Sequence, residues 1–199
     1  MAGVISGLGR VHRISGSPHA YETTAVFTEG RAEPSGTDVF ARSLDRALWI
    51  ALLAPLAPTP AEQAAYNTSA LAALGGGDSG APSLLSVGLM PALKMPALFE
   101  DVDVAAPVPV MWESATRGRS ALDTDYLTLE TFPGSYTTRG LTQPGTLRLP
   151  LPDESLIWAP PNDVGANPRA GVGDAPPRLD DAAKAARLIG WLRLRPRPG

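Results

Sequence analysis

Apolar residues along this chain fall in short blocks rather than helical stripes. Leu48-Trp49-Ile50-Ala51-Leu52-Leu53 combines an aromatic and a β-branched residue in a run stopped by Pro55, and its length and punctuation predict a buried strand. Comparable blocks stand at Leu84 to Met90, Val108 to Trp112, Tyr126 to Leu129, Thr146 to Leu151 and Leu188 to Leu194, each bounded by Gly, Pro, Asp or Ser. Two of them alternate openly. Leu147, Leu149 and Leu151 lie on one side with Thr146, Arg148 and Pro150 on the other, and Leu192 and Leu194 alternate with Arg193 and Arg195. Such half-polar strands belong to antiparallel sheets with one wet face.

One long helix is signalled. Thr59-Pro60-Ala61-Glu62 has the form of a capping box with Pro at the first helical position, and the pattern runs to about Leu74 before Gly75-Gly76-Gly77. The apolar side of that helix is mostly Ala with Leu71 and Leu74, which predicts an insertion outside the core. Asp180 to Leu188 is a second, shorter helical candidate that flows into a strand. Residues 159 to 178 hold Pro160, Pro161, Pro168, Pro176, Pro177 and three Gly, and predict a long irregular loop. The fold class that follows is mainly β, an antiparallel β-sandwich with one inserted helix and long Pro/Gly-rich loops. Residues 1–36 form an N-terminal strand or arm segment, and residues 37–199 form the sandwich domain with the helical insertion at 59–80.

Composition narrows the chemistry. The 199 residues include 20 Gly, 21 Pro and no Cys, which excludes disulfides, thiolate metal sites and cysteine nucleophiles. Lys and Arg number 17 against 20 Asp and Glu, a net charge of -3, so no basic excess points to nucleic acid. No apolar run approaches the roughly 20 residues of a membrane helix, and no basic segment followed by an apolar stretch opens the chain. The expectation is a soluble, cytoplasmic protein without membrane insertion.

Several motifs invite a catalytic or metal-binding reading, and each is outweighed by a plainer one. Gly77-Asp78-Ser79-Gly80-Ala81-Pro82 has the form of a serine-protease nucleophile segment, yet the two histidines, His12 and His19, lie in the wrong context and too near in sequence for that triad. Neither histidine has a partner at zinc-ligand spacing. Glu100, Asp101 and Asp103, and separately Asp123 and Asp125, lack the turn glycine and ligand density of calcium loops. Gly7-Leu8-Gly9 has no phosphate-binding continuation, and Asn67-Thr68-Ser69 matters as a sequon only in a secreted chain. No enzyme activity, cofactor or metal is expected.

The aromatic residues stand in a distinctive order. Val110-Met111-Trp112-Glu113 is followed by Tyr126-Leu127-Thr128-Leu129, then by Gly140-Leu141-Thr142-Gln143-Pro144-Gly145 leading into a strand that ends at Pro150, then Trp158, then Ile189-Gly190-Trp191-Leu192-Arg193. Trp49, Trp112, Tyr126 and Trp191 are the expected anchors of the sandwich core. This order, over roughly Thr37 to Arg197, resembles the baseplate assembly, or baseplate-J-like wedge, proteins of contractile injection systems and contractile phage tails. The resemblance implies a structural subunit in a sixfold assembly, contacting wedge, spike or hub, and sheath subunits, and it implies no catalysis. Interface contacts are expected from Asn162, Asp163, Asn167 and Arg169 in the Pro/Gly-rich loop, ordered by a neighbour, and from Arg193 and Arg195, since guanidinium groups pair bidentately and stack on aromatic rings. From another class, a carbohydrate-binding β-sandwich would use exposed Trp49, Trp112, Trp158 or Trp191 to stack on sugars.

Overall fold

The computed structural model describes residues 10–14, 21–25, 27–28, 31–32, 47–76, 81–89, 109–120, 122–138, 141, 143–163, 166–167, 171 and 174–197. Within these residues the strands are β1 (Arg10–Ile14), β2 (Tyr21–Ala25), β3 (Phe27–Thr28), β4 (Arg31–Ala32), β5 (Leu48–Leu53), β6 (Leu84–Leu89), β7 (Val110–Arg117), β8 (Thr124–Leu129), β9 (Gly145–Pro150) and β10 (Leu188–Pro196). The helices are α1 (Gln63–Leu74) and α2 (Ala182–Ala185). Each block singled out by its apolar pattern forms a strand over its described residues; Met90 and Val108 lie outside them, and Leu151 follows the end of β9. β7 and β10 reach further than their apolar residues do, because polar side chains within them are held by cross-strand partners.

The strands pair antiparallel throughout the described residues. A four-stranded sheet runs β5-β10-β7-β8, a two-stranded sheet joins β6 to β9, and β1-β2 and β3-β4 form two further pairs in the N-terminal segment. The C-terminal strand thus lies between two strands formed much earlier in the chain.

Period-2 alternation accounts for the core. Leu48 and Leu52 of β5, Trp112 of β7, Leu129 of β8, and Leu192 and Leu194 of β10 are buried in one cluster with Leu147 and Leu149 of β9. Leu85, Val87 and Leu89 of β6 complete the facing layer, so the two sheets form the antiparallel β-sandwich that the pattern predicts. Each fully buried Leu contributes about 1.5–3 kcal/mol of transfer free energy. Gly190 makes the junction possible: a Cβ there would lie 2.7 Å from Cγ2 of buried Ile157, and the β10 register against β5 shifts between Leu188 and Gly190.

The long helix begins with a 3-10 turn, Pro60–Glu62, before α1. Thr59 and Glu62 meet as the capping-box spacing predicts, but the Thr59 hydroxyl donates to the Glu62 carboxylate at 2.7 Å instead of accepting from a backbone amide. Ala70, Leu71 and Leu74 pack on the margin of the core. Gln63 accepts from the Ala57 amide at 3.0 Å and donates to the Pro55 carbonyl at 3.0 Å, while Asn67 donates to the Ala186 carbonyl at 2.9 Å. The helix is therefore fastened to the exit of β5 and the approach to β10, where the sequence placed it clear of the core. The shorter candidate is the single turn α2, whose N-terminus Asp181 caps by accepting from the Ala183 and Lys184 amides at 2.9 and 3.2 Å. No helix among the described residues is long and apolar enough to cross a membrane.

Candidate functional site

The second face of the four-stranded sheet carries the distinctive chemistry. Residues of β10 that alternate with Leu192 and Leu194 are Trp191, Arg193 and Arg195. In the sheet register Arg193 stands opposite Trp49 of β5 on one side and Glu113 of β7 on the other, and Ala115 stands opposite Tyr126 of β8. Strand pairing alone thus gathers Trp49, Glu113, Tyr126 and Arg193 on one face.

Side chains close this cluster. Arg193 and Glu113 are each 3% exposed, and Arg193 Nε donates to Glu113 Oε2 at 2.6 Å. Arg195, from the same edge of β10, donates through Nε to Glu113 Oε2 at 2.8 Å and through Nη2 to Oε1 at 3.1 Å. The Arg193 guanidinium carbon lies 3.4 Å from the Tyr126 ring centroid and 5.5 Å from that of Trp49. Trp49 in turn contacts Tyr126 at 5.9 Å and meets Trp191 edge-on at 6.1 Å. A planar, weakly hydrated guanidinium is the basic group that tolerates this burial, since it stacks on the rings while its edge binds carboxylates.

Burial by itself would raise the Glu113 pKa. Hydrogen bonds from Arg195 and Arg193, with the charges of the two guanidinium groups, outweigh it and hold the carboxyl below its ordinary value. Glu113 is therefore held as a carboxylate in the neutral range and anchors two guanidinium groups.

From the segment after Trp158, Asp174 reaches this face. The Trp158 amide donates to the Ala115 carbonyl at 3.2 Å, and Gly171 N donates to the Pro176 carbonyl at 2.9 Å. Asn162 accepts from the Leu179 amide through Oδ1 and donates to the Leu179 carbonyl through Nδ2, both at 2.7 Å, which pins the two ends of the loop together. At the far end Arg193 Nη1 donates to Asp174 Oδ1 at 2.5 Å, and the Tyr126 hydroxyl donates to the Asp174 carbonyl oxygen.

The expected anchors divide between the two faces. Trp112 lies in the aliphatic core, whereas Trp191 is equally buried but on the Arg193 face, and Trp49 and Tyr126 are half-buried beside it. The cause is parity: Trp112 stands opposite Leu194, and Trp191 is out of phase with it. The residues expected at an interface differ in their exposure within the chain. Arg193 is interior because Glu113 and Asp174 neutralise it, and Arg195 is half-buried against Glu113 with its side chain 30% exposed. Asn167 is buried, Asn162 is half-buried and committed to Leu179, and Asp163 remains exposed. Arg169 lies outside the described residues. Within the chain, Asn162 and Asp174 tie described parts of this loop to Leu179 and to Tyr126 and Arg193.

Glu113 and Asp174, which complete the cluster, were not among the residues expected to act. The available signal is an acid directly after Trp112 inside a strand, with two arginines alternating on another strand that must lie in the same sheet. A free stacking platform for sugars is not formed by this cluster: Trp112 and Trp191 are interior, Arg193 sits against Trp49 and Tyr126, and half-buried Trp158 has the Arg117 guanidinium 6.0 Å from its ring. Ser79, His19, Glu100, Asp101 and Asp103 fall outside the described residues, and for His12 only the strand position in β1 is described. No protein-family model, curated protein or solved structure matches this chain.

Proposed function

We propose that the chain is a structural subunit of the baseplate of a phage-tail-like contractile injection system, linking spike and tube to sheath through protein-protein contacts in a sixfold assembly. One observation carries the reading. The short motifs behind the family resemblance lie far apart in sequence, yet they meet as register-setting residues: Trp112 and Glu113 stand opposite Leu194 and Arg193. The Leu-Thr-x-x-Gly turn has a comparable physical basis, since Leu141 occupies the left-handed region at φ 66° and a Cβ on Gly145 would lie 2.6 Å from Thr137 Oγ1. Motifs that fix how a sandwich holds together suit a subunit whose work is to present surfaces rigidly to neighbours.

The test is genetic and structural. A tagged copy expressed in its own host is expected to co-sediment with contractile particles, and cryo-electron microscopy of those particles should place it at the baseplate. Deleting the gene should yield tubes and sheaths without assembled baseplates. Particles that assemble and contract normally after the deletion would overturn the proposal.

A further inference from the structure

The β6-β9 sheet has one covered edge and one open edge. Thr146 and Arg148 of β9 turn their backbone groups toward residues 132–137. Their carbonyls accept from the Thr137 and Phe132 amides at 2.9 and 2.8 Å, and their amides donate to Thr137 Oγ1 and Ser135 Oγ at 2.8 and 3.0 Å. The residues of β9 that alternate with these two bond to β6. The register therefore turns the backbone of Leu85, Val87 and Leu89 toward β9 and that of Leu84, Ser86 and Gly88 away from it. The outward N–H and C=O groups of these three residues have no partner among the described residues. The edge also lacks the usual protection, since Leu84-Leu85-Ser86-Val87-Gly88-Leu89 holds neither a charge nor a Pro. Leu84 is 43% exposed, and a Cβ on Gly88 would meet nothing within 4 Å.

We infer that β6 is a docking edge for a second copy of this chain, which adds its own β6 antiparallel across a two-fold axis at Ser86. The strand is complementary to itself in this register. Leu84 falls opposite Gly88 of the second copy, so the exposed leucine meets the open space at the glycine, and Ser86 falls opposite its own counterpart. Every outward N–H and C=O of Leu84, Ser86 and Gly88 then gains a backbone partner. On the inner side, half-buried Leu85 falls opposite Val87 of the second copy, and the apolar layer that both residues share with the core continues across the join. Arg148 stands beside Ser86 in β9, yet the two copies of it are three strand spacings apart, about 14 Å, which exceeds the screening length. It is this match of Leu84 to Gly88, with no charge to oppose it, that favours a second copy over an unrelated strand. One such contact uses the open edge of both copies, so association stops at two. An interface one strand wide is small, and the dimer is accordingly weak and concentration-dependent. This inference does not depend on the baseplate reading.

The experiment exploits the absence of cysteine from the chain. In the full chain, Ser86→Cys is treated with a short bismaleimide linker, and Thr128→Cys, at an exposed position of β8, serves as the control. A covalent dimer is expected for Ser86→Cys and not for Thr128→Cys. In sedimentation velocity the wild-type chain should pass from monomer toward dimer between about 10 µM and about 1 mM. Over the same range the amides of Leu84, Ser86 and Gly88 should become at least about tenfold slower in hydrogen exchange. Ser86→Lys sets two ammonium groups face to face at the axis; its unfolding midpoint in dilute solution should stay within about 2 °C of the wild type while the concentration dependence disappears. A wild-type chain that sediments as a monomer throughout, or equal cross-linking at positions 86 and 128, would overturn the inference. So would a folded Ser86→Lys variant that dimerises like the wild type.

Discussion

The two faces of the β5-β10-β7-β8 sheet are buried by opposite means. One presents Leu48, Leu52, Trp112, Leu192 and Leu194 to a second sheet and excludes water by aliphatic packing. The other presents Arg193, Glu113 and Trp191, which are just as inaccessible, with Asp174 reaching in from an irregular loop. Strand β10 belongs to both, residue by residue. The lesson is that alternation reports which side chains share a face, while burial of the polar face is decided by whether charges find partners across strands.

If both faces are interior, large truncations on either should cost alike. Trp112→Ala and Trp191→Ala are each expected to lose about 3–5 kcal/mol in denaturant titration. A loss below about 1 kcal/mol for Trp191→Ala alone would mean that the Arg193 face is only a surface.

Glu113→Gln sharpens the comparison from the polar side. It leaves buried Arg193 with a neutral partner and is expected to cost about 3 kcal/mol, whereas the double replacement Glu113→Leu with Arg193→Met should recover most of that loss. The pH dependence gives an independent reading. Glu113 has a folded pKa below its ordinary value of 4.5, so the unfolded chain takes up its proton first as pH falls. Its contribution is complete above that ordinary value and disappears as the pH drops through the lowered one. Stability of Glu113→Gln should accordingly fall less steeply than that of the wild type across the same acid range. Parallel acid profiles would show that the carboxylate is not specially held.

Arg195→Ala should have the smallest effect, about 1 kcal/mol or less, because its side chain is partly solvated and Glu113 keeps its bond to Arg193. A cost as large as that of Glu113→Gln would make the three charges one inseparable unit. Thermal unfolding of the single and double variants Arg195→Ala and Glu113→Gln measures the coupling.

Much of the sandwich is legible in the sequence, because short Pro- and Gly-bounded apolar blocks and the Leu147/Leu149 and Leu192/Leu194 alternation are local signals. β7 beyond Trp112 is less so: Glu113, Ser114 and Thr116 offer no apolar pattern, and their strand conformation is secured by pairing with β8 and β10. The candidate site is the least legible part. Arg193 and Glu113 are separated by 80 positions, and only the register of the last strand brings them into contact. Arg193 and Arg195 look alike in sequence, yet one is interior and the other half-open because Asp174 and Tyr126 close over the first.

The Asn162-Leu179 clamp bears on how long the loop can be. Two hydrogen bonds join the ends of the loop independently of what lies between them, so the approach to α2 and β10 is set at Leu179. Doubling the enclosed length would add only about 0.6 kcal/mol of closure entropy. The interval between the clamped residues can therefore lengthen at little entropic cost while Leu179 still delivers the chain to β10, as long as Asp174, which pairs with Arg193, and buried Asn167 and Pro176 are kept.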